Sequence, residues 1–187
     1  MKVYPFKFEF RVSYSLCDDS LNVEFDVKNT GNNKMFFSVG SHEAFLCPEG
    51  INKYSIIFDK KETLDSHIVK GNLLDYETQR IIKNSEKLQL SYDYFKVDAL
   101  AFSKFNSEKL MLCADDGTRI IQVEFPGFSH LLLWTKNDIK APYICIEPWC
   151  GFPDMIDSDY DITKKAGIIQ LSAGESRTVT HSITLIK

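Results

Sequence analysis

The chain has no run of apolar residues near the roughly 20 that a membrane-spanning helix requires. Its opening, Met1-Lys2-Val3-Tyr4-Pro5-Phe6, lacks the apolar core of an export signal. It also has no basic block: 22 Lys and Arg face 26 Asp and Glu, a formal charge of −4. That balance argues against binding to nucleic acid or to an anionic membrane. There is no Cys-x-x-Cys pair, and the four histidines (His42, His67, His130, His181) lie far apart, so no metal site is expected. The five cysteines, Cys17, Cys47, Cys113, Cys145 and Cys150, are an odd number and read as reduced thiols in a cytoplasmic protein. No segment sustains a helical stripe, and there is no internal repeat or low-complexity linker. What the 187 residues do hold is 44% hydrophobic, with 14 Phe and 8 Tyr. That is enough for one sizeable core without disulfides or metal, and residues 1–187 read as a single domain.

The periodicity is that of strands. Phe6, Phe8, Phe10, Val12, Tyr14 and Leu16 alternate with Lys7, Glu9, Arg11, Ser13 and Ser15, which places the apolar side chains on one face of an extended segment. Cys17-Asp18-Asp19-Ser20 is turn chemistry, and Leu21, Val23, Phe25 and Val27 resume the alternation, so a hairpin is expected. Lys109–Ala114 and Arg119–Phe125 flank Asp115-Asp116-Gly117 as a second hairpin. Ile168–Leu171 and Arg177–Ile186, around Ser172-Ala173-Gly174-Glu175, read as a third. Lys60–Asp75 and Ile81–Leu88 read as long loops with one helical turn at most. Strands punctuated by turns, with no helices between them, give an all-β fold, an antiparallel β-sandwich. In the last strand His181 falls with the apolar set, and a hydrogen-bonded core histidine is the expected role.

Two segments depart from the strand pattern in ways a core does not require. In Gly40-Ser41-His42-Glu43-Ala44-Phe45 a strand runs into a glycine and then a histidine, the side chain best suited to moving protons near neutral pH. A capping histidine in a loop fits that spacing equally. In Tyr143-Ile144-Cys145-Ile146-Glu147-Pro148-Trp149 an apolar strand ends in a carboxylate, a proline stops the ladder, and Trp149 offers a flat apolar face to a sugar ring. Desolvation of Glu147 would raise its pKa and suit it to act as a base; a strand-end glutamate paired with a lysine is the alternative, and the segment favours the functional role slightly. Asp98 stands among apolar residues at a strand entrance, where a turn or cap role is the stronger expectation. Trp134 reads as core.

Taken in order, these segments resemble the aldose 1-epimerase (galactose mutarotase-like) family, and within it the LacX-like branch. The resemblance rests on Tyr4-Pro5-Phe6, Asn29-Thr30-Gly31, Gly40-Ser41-His42-x-Ala44-Phe45, Asp98-Ala99-Leu100, Phe125-Pro126-Gly127-Phe128, Leu133-Trp134-Thr135-Lys136, Ile146-Glu147-Pro148-Trp149 and Gly174-Glu175. It covers essentially the whole chain and implies a β-supersandwich. It also implies an isomerase that interconverts the α and β anomers of an aldose by acid–base ring opening, with no cofactor. By motif, His42 resembles the general acid that protonates the ring oxygen, and Glu147 the base that takes the anomeric proton. Asp98 resembles the carboxylate that holds sugar hydroxyls, and Phe45 and Trp149 complete the expected sugar-contacting set.

Family members usually run to nearly twice this length. The strand at Tyr4 corresponds to one that follows an N-terminal segment bearing an arginine and a second histidine that contact the sugar. Arg11, Arg80 and Arg119 do not stand where they could replace that arginine, and Cys150 occupies a position where this branch commonly has a tyrosine. The resemblance therefore implies a truncated supersandwich that keeps acid and base, with activity reduced by the missing contacts. The alternative is a non-catalytic sugar-binding or degenerate interaction module. In either case exposed sheet edges invite pairing with another chain or a second copy. The expected ligand is a small aldose, and a neutral one, because no basic cluster marks a phosphate pocket.

Overall fold

A computed structural model describes residues 4–186. Three antiparallel sheets account for nearly all of its regular structure, as the period-two alternation requires. The largest contains seven strands: β1 (Phe8–Cys17), β2 (Ser20–Asn29), β6 (Tyr54–Lys70), β7 (Leu73–Gln89), β9 (Lys109–Ala114), β10 (Arg119–Glu124) and β14 (Ser176–Leu185), in the order β1-β2-β14-β10-β9-β6-β7. A second contains five: β4 (Val39–Gly40), β5 (Glu43–Leu46), β8 (Leu100–Phe102), β11 (His130–Trp134) and β12 (Tyr143–Cys150). Its order is β4-β12-β11-β8, with β5 also on β12. A two-stranded sheet joins β3 (Met35–Phe37) to β13 (Ile169–Leu171).

The two large sheets share one core. Phe25, Ile56, Leu110, Leu112 and Val123 from the seven-stranded sheet pack in a single cluster with Leu131, Leu133, Ile144 and Ile146 from the five-stranded one. Alternation then sends Leu132, Cys145, Glu147 and Trp149 to the opposite face of the five-stranded sheet. That face is covered as well: Leu74, Ala101, Leu132 and Phe152 form a smaller buried cluster on it. Burial on both faces explains why β11 reads as a continuous apolar run.

Three expectations are corrected. Lys60–Asp75 and Ile81–Leu88 are not loops but most of the β6–β7 hairpin. Register shifts between Ile57 and Glu62, Glu62 and Leu64, Leu64 and Asp65, and His67 and Val69 break the period-two pattern that would have marked them. The last two strands do not pair with each other: β13 lies on β3, while β14 inserts between β2 and β10. Pro148 does not end β12, which continues to Cys150. Its carbonyl accepts from the Ser41 N–H (3.1 Å) on the side where β4 and β5 are interrupted, so the donor that proline lacks falls in a gap of the ladder.

The β1–β2 hairpin forms as expected, with Val12 opposite Phe25. On β2 its apolar face enters the core through Val23, Phe25 and Val27, whereas on β1 Phe8, Phe10, Val12, Tyr14 and Leu16 are all exposed, Phe10 with one side stacked on Phe25 (6.2 Å).

Candidate active site

The second face of the five-stranded sheet floors an open cavity of about 320 Å³, within the roughly 300–1,000 Å³ usual for small-molecule sites. Ala101, Leu132, Glu147 and Trp149 line it from the sheet, Asp98 and Ala99 from the entry to β8, and His42 from the break between β4 and β5. Val69, Asn72 and Leu74, at the tip of the β6–β7 hairpin, form another wall. That tip turns through Gly71 and Asn72, both at positive φ (60° and 70°), the conformation a two-residue hairpin loop needs. It is tied down where Leu74 N–H donates to Asp154 (2.9 Å) and Leu74 C=O accepts from Ile156 (2.8 Å).

Glu147 is 3% exposed, and among the described residues no group hydrogen-bonds its Oε1. His42 Nε2 stands 3.3 Å from that oxygen, within ion-pair reach, on a side chain 57% exposed to the cavity mouth. Burial, then the neighbouring Asp98 and Glu43 carboxylates, push the Glu147 carboxyl up to about 7. A buried carboxyl held near neutrality thus sits beside an exposed imidazole. Trp134 meets the His42 ring edge-on, with centroids 6.1 Å apart, and lines the cavity, so the core role expected for it is corrected.

A second set of contacts holds the His42 loop. Glu43 accepts from His181 Nε2 (3.2 Å) and from the Ser41 hydroxyl. Burial acts to raise the Glu43 carboxyl, but the hydrogen bonds from His181 and Ser41 outweigh it and hold the group below its ordinary value. Ser41 C=O in turn accepts from Trp149 Nε1 (3.0 Å), fixing the indole. A Cβ on Gly40 would lie 2.5 Å from Trp149 Cδ1, so the missing side chain is what seats the tryptophan. His181 is the buried, hydrogen-bonded histidine its alternation suggested, stacked on Phe25.

The fold therefore brings His42, Glu147, Asp98 and Trp149 to one cavity. Phe45 does not join them; it packs against the main core. Asn72 and the hairpin tip join the cavity from a segment expected to be loop, and Gly71-Asn72 between Val69 and Leu73-Leu74 is the sequence signal for that turn. His42, Cys145 and Glu147 are the described residues whose donor atoms cluster closely enough to bracket a cation, within 4.8 Å of one another. Burial, then Glu147 and Glu43, push the Cys145 thiol up to about 12. The five cysteines are all free, and only Cys17 is exposed.

Residues 1–184 match the family model of aldose 1-epimerase. The chromosomal LacX protein of Lactococcus lactis subsp. lactis is 28% identical over 191 residues, covering 98% of this chain and 64% of that protein. A galactose mutarotase related enzyme from Lactobacillus acidophilus superposes with a TM-score of 0.91 at 30% identity, over 100% of this chain and 64% of that one. A galactose mutarotase-like protein from Lactobacillus casei gives 0.91 at 24%, over 99% and 65%. The chain thus spans less than two thirds of the length of these relatives. The family match over nearly its whole length, on a fold that superposes closely with a solved galactose mutarotase related enzyme, makes this chain a member of the aldose 1-epimerase family.

Proposed function

We propose that the cavity binds a neutral aldose and interconverts its anomers, with Glu147 as base and His42 as acid. The observation that carries this reading is the pair itself: His42 Nε2 lies 3.3 Å from a buried carboxyl held at about 7. The two oxygens that exchange protons are the anomeric hydroxyl and the ring oxygen, and both are bonded to C1. Adjacent groups can therefore serve both. Glu147 takes the hydroxyl proton, the C1–O bond to the ring breaks with its electron pair moving to the ring oxygen, and imidazolium His42 protonates that oxygen. The open-chain aldehyde rotates about C1–C2, and the reverse transfers close the other anomer. Asp98, at the cavity wall, accepts from sugar hydroxyls, and Trp149 presents its face to the C–H side of the ring.

Five unpaired thiols support a cytoplasmic setting. Among the described residues, no helix is long and apolar enough to cross a membrane.

Polarimetry on freshly dissolved α-D-glucose and α-D-galactose tests the reading. His42→Gln and Glu147→Gln should each lower the enzymic rate by roughly 10²–10⁴-fold. Mutants as fast as the parent would remove both assignments. One observation favours a second reading, sugar binding without turnover: the residues lining the cavity include no arginine and no histidine besides His42. Sugar-dependent chemical shifts of the Trp149 indole with no rate enhancement would select it.

A further inference from the structure

The two edges of the seven-stranded sheet are built differently. β7 presents Glu77, Arg80, Lys83, Glu86 and Lys87, all exposed, the charged edge that discourages strand pairing. β1 presents ten residues of strand whose apolar face is open: Phe8 is 41% exposed, Phe10 48%, Val12 38%, Tyr14 68% and Leu16 82%. Apolar exposure concentrated on a single strand marks an interaction surface. Its hydrogen-bonding groups are free too. Lys7 C=O accepts from Thr30 N–H (3.0 Å), so in this register the odd-numbered residues bond to β2. The N–H and C=O groups of Phe8, Phe10, Val12 and Tyr14 then point outward, and among the described residues β1 pairs with β2 alone.

We propose that β1 is a self-recognition edge, on which two copies of this chain join antiparallel with Phe10 of each at the twofold axis. The charges and the extent of the strand together select the register: centring on Phe8 would also oppose unlike charges, Lys7 and Glu9, but β1 begins at Phe8, so only a centre further along engages the strand on both sides of the axis. On the polar face Glu9 and Arg11 flank Phe10 and reach each other within one strand (3.4 Å). Centring the pairing on Arg11 sets arginine against arginine, and centring it on Glu9 sets glutamate against glutamate. Centring on Phe10 sets each Glu9 opposite the second copy's Arg11, on both sides of the axis. It also pairs Phe10 with Phe10 and Phe8 with Val12 through the outward-pointing backbone groups. These Glu9–Arg11 positions become non-hydrogen-bonded pairs, where facing side chains approach most closely. An isologous edge of this kind closes as a dimer and does not propagate, because each copy offers one β1. The proposal is independent of whether the cavity turns over sugar.

Sedimentation velocity over a concentration series, at low salt, tests it on the whole chain. The parent should show a concentration-dependent dimer. Glu9→Arg and Arg11→Glu should each raise the dissociation constant roughly ten- to a hundredfold, since two attractive pairs become two repulsive ones. The double variant Glu9→Arg/Arg11→Glu should bring it back to within about threefold of the parent value. Both side chains are exposed, so the fold tolerates either change. Hydrogen exchange gives a second reading: the amides of Phe8, Phe10 and Val12 should be protected at high concentration and open at low. A monomer at every concentration, a dimer indifferent to the single swaps, or a double variant that fails to recover would each overturn the pairing.

Discussion

Strands β12 and β1 are both alternating or apolar segments of similar length, and they end in opposite circumstances. β12 lies between β11 on one side and β4 and β5 on the other, and Ile144, Cys145, Ile146 and Glu147 are all buried. Among the described residues β1 has one neighbour, and every one of its residues is exposed. Alternation states which side chains share a face; it does not state what covers that face. In β12 the face away from the core is roofed by the β6–β7 hairpin, and His42, Asp98 and Glu147 gather there. In β1 the equivalent covering is absent among the described residues, and the apolar side chains stay exposed, the feature on which the proposed pairing rests.

The largest expected effect contrasts the two regions directly. Leu131 is fully buried between the sheets. Leu131→Ala should destabilise the protein by about 2–5 kcal/mol in urea denaturation, through lost burial and a residual cavity. If the loss were as small as that of a β1 truncation, the shared core described above would be wrong.

The next effect separates what the site does from what holds it together. Glu147 has its folded-state carboxyl raised from 4.5 to about 7 by burial, then by Asp98 and Glu43. The folded chain therefore holds this proton longer than the unfolded chain does. Between those two values stability falls as pH rises, and above about 7 the full deficit, on the order of 3 kcal/mol, is present. Glu147→Gln removes it. Thermal unfolding should show the variant more stable than the parent at pH 8 and indistinguishable from it near pH 4, while the proposed mutarotation falls by roughly 10²–10⁴-fold. A variant less stable at pH 8 would mean that the carboxylate is stabilised by contacts that outweigh its burial.

Gly40→Ala should act more modestly and locally. The new methyl would fall on the Trp149 ring, which must shift, at a cost of about 1–3 kcal/mol. Tryptophan fluorescence should report a changed environment, and sugar affinity should weaken. Unaltered emission with unaltered binding would show that the ring is not seated by the glycine.

How much of this was legible in the sequence follows from the same physics. The β1–β2 and β9–β10 hairpins could be read because their ladders run with tight turns and nearly unbroken alternation. β6 and β7 could not, because bulges displace their side chains from a strict period of two. β13 and β14 were misassigned to each other because a turn between two strands is local, while their choice of partners, β3 on one side and β2 and β10 on the other, is made by distant parts of the chain. In the site, His42 and Glu147 stood out as residues a core does not need. Trp134 did not, since a half-buried tryptophan after three leucines looks like packing. Nor did Asn72, whose turn was hidden inside the segment read as loop. Phe45 is the reverse case, an aromatic three residues after His42 that strand alternation turns inward.

The smallest effect is the one that most directly tests the open face of β1. Leu16 is 82% exposed at the hairpin tip, beyond the Phe8–Val12 stretch that the proposed pairing uses. Leu16→Ser therefore removes an apolar side chain that neither the core nor the dimer buries, and stability should change by no more than about 0.5 kcal/mol. The dissociation constant should be unaffected, and binding of an apolar dye should fall. A loss of 2 kcal/mol would require Leu16 to be covered in the folded protein, since exposed leucine carries no such energy. In that event the tip of β1, and not its middle, would be the region in contact with a partner, and the Phe10-centred register would have to shift toward Tyr14.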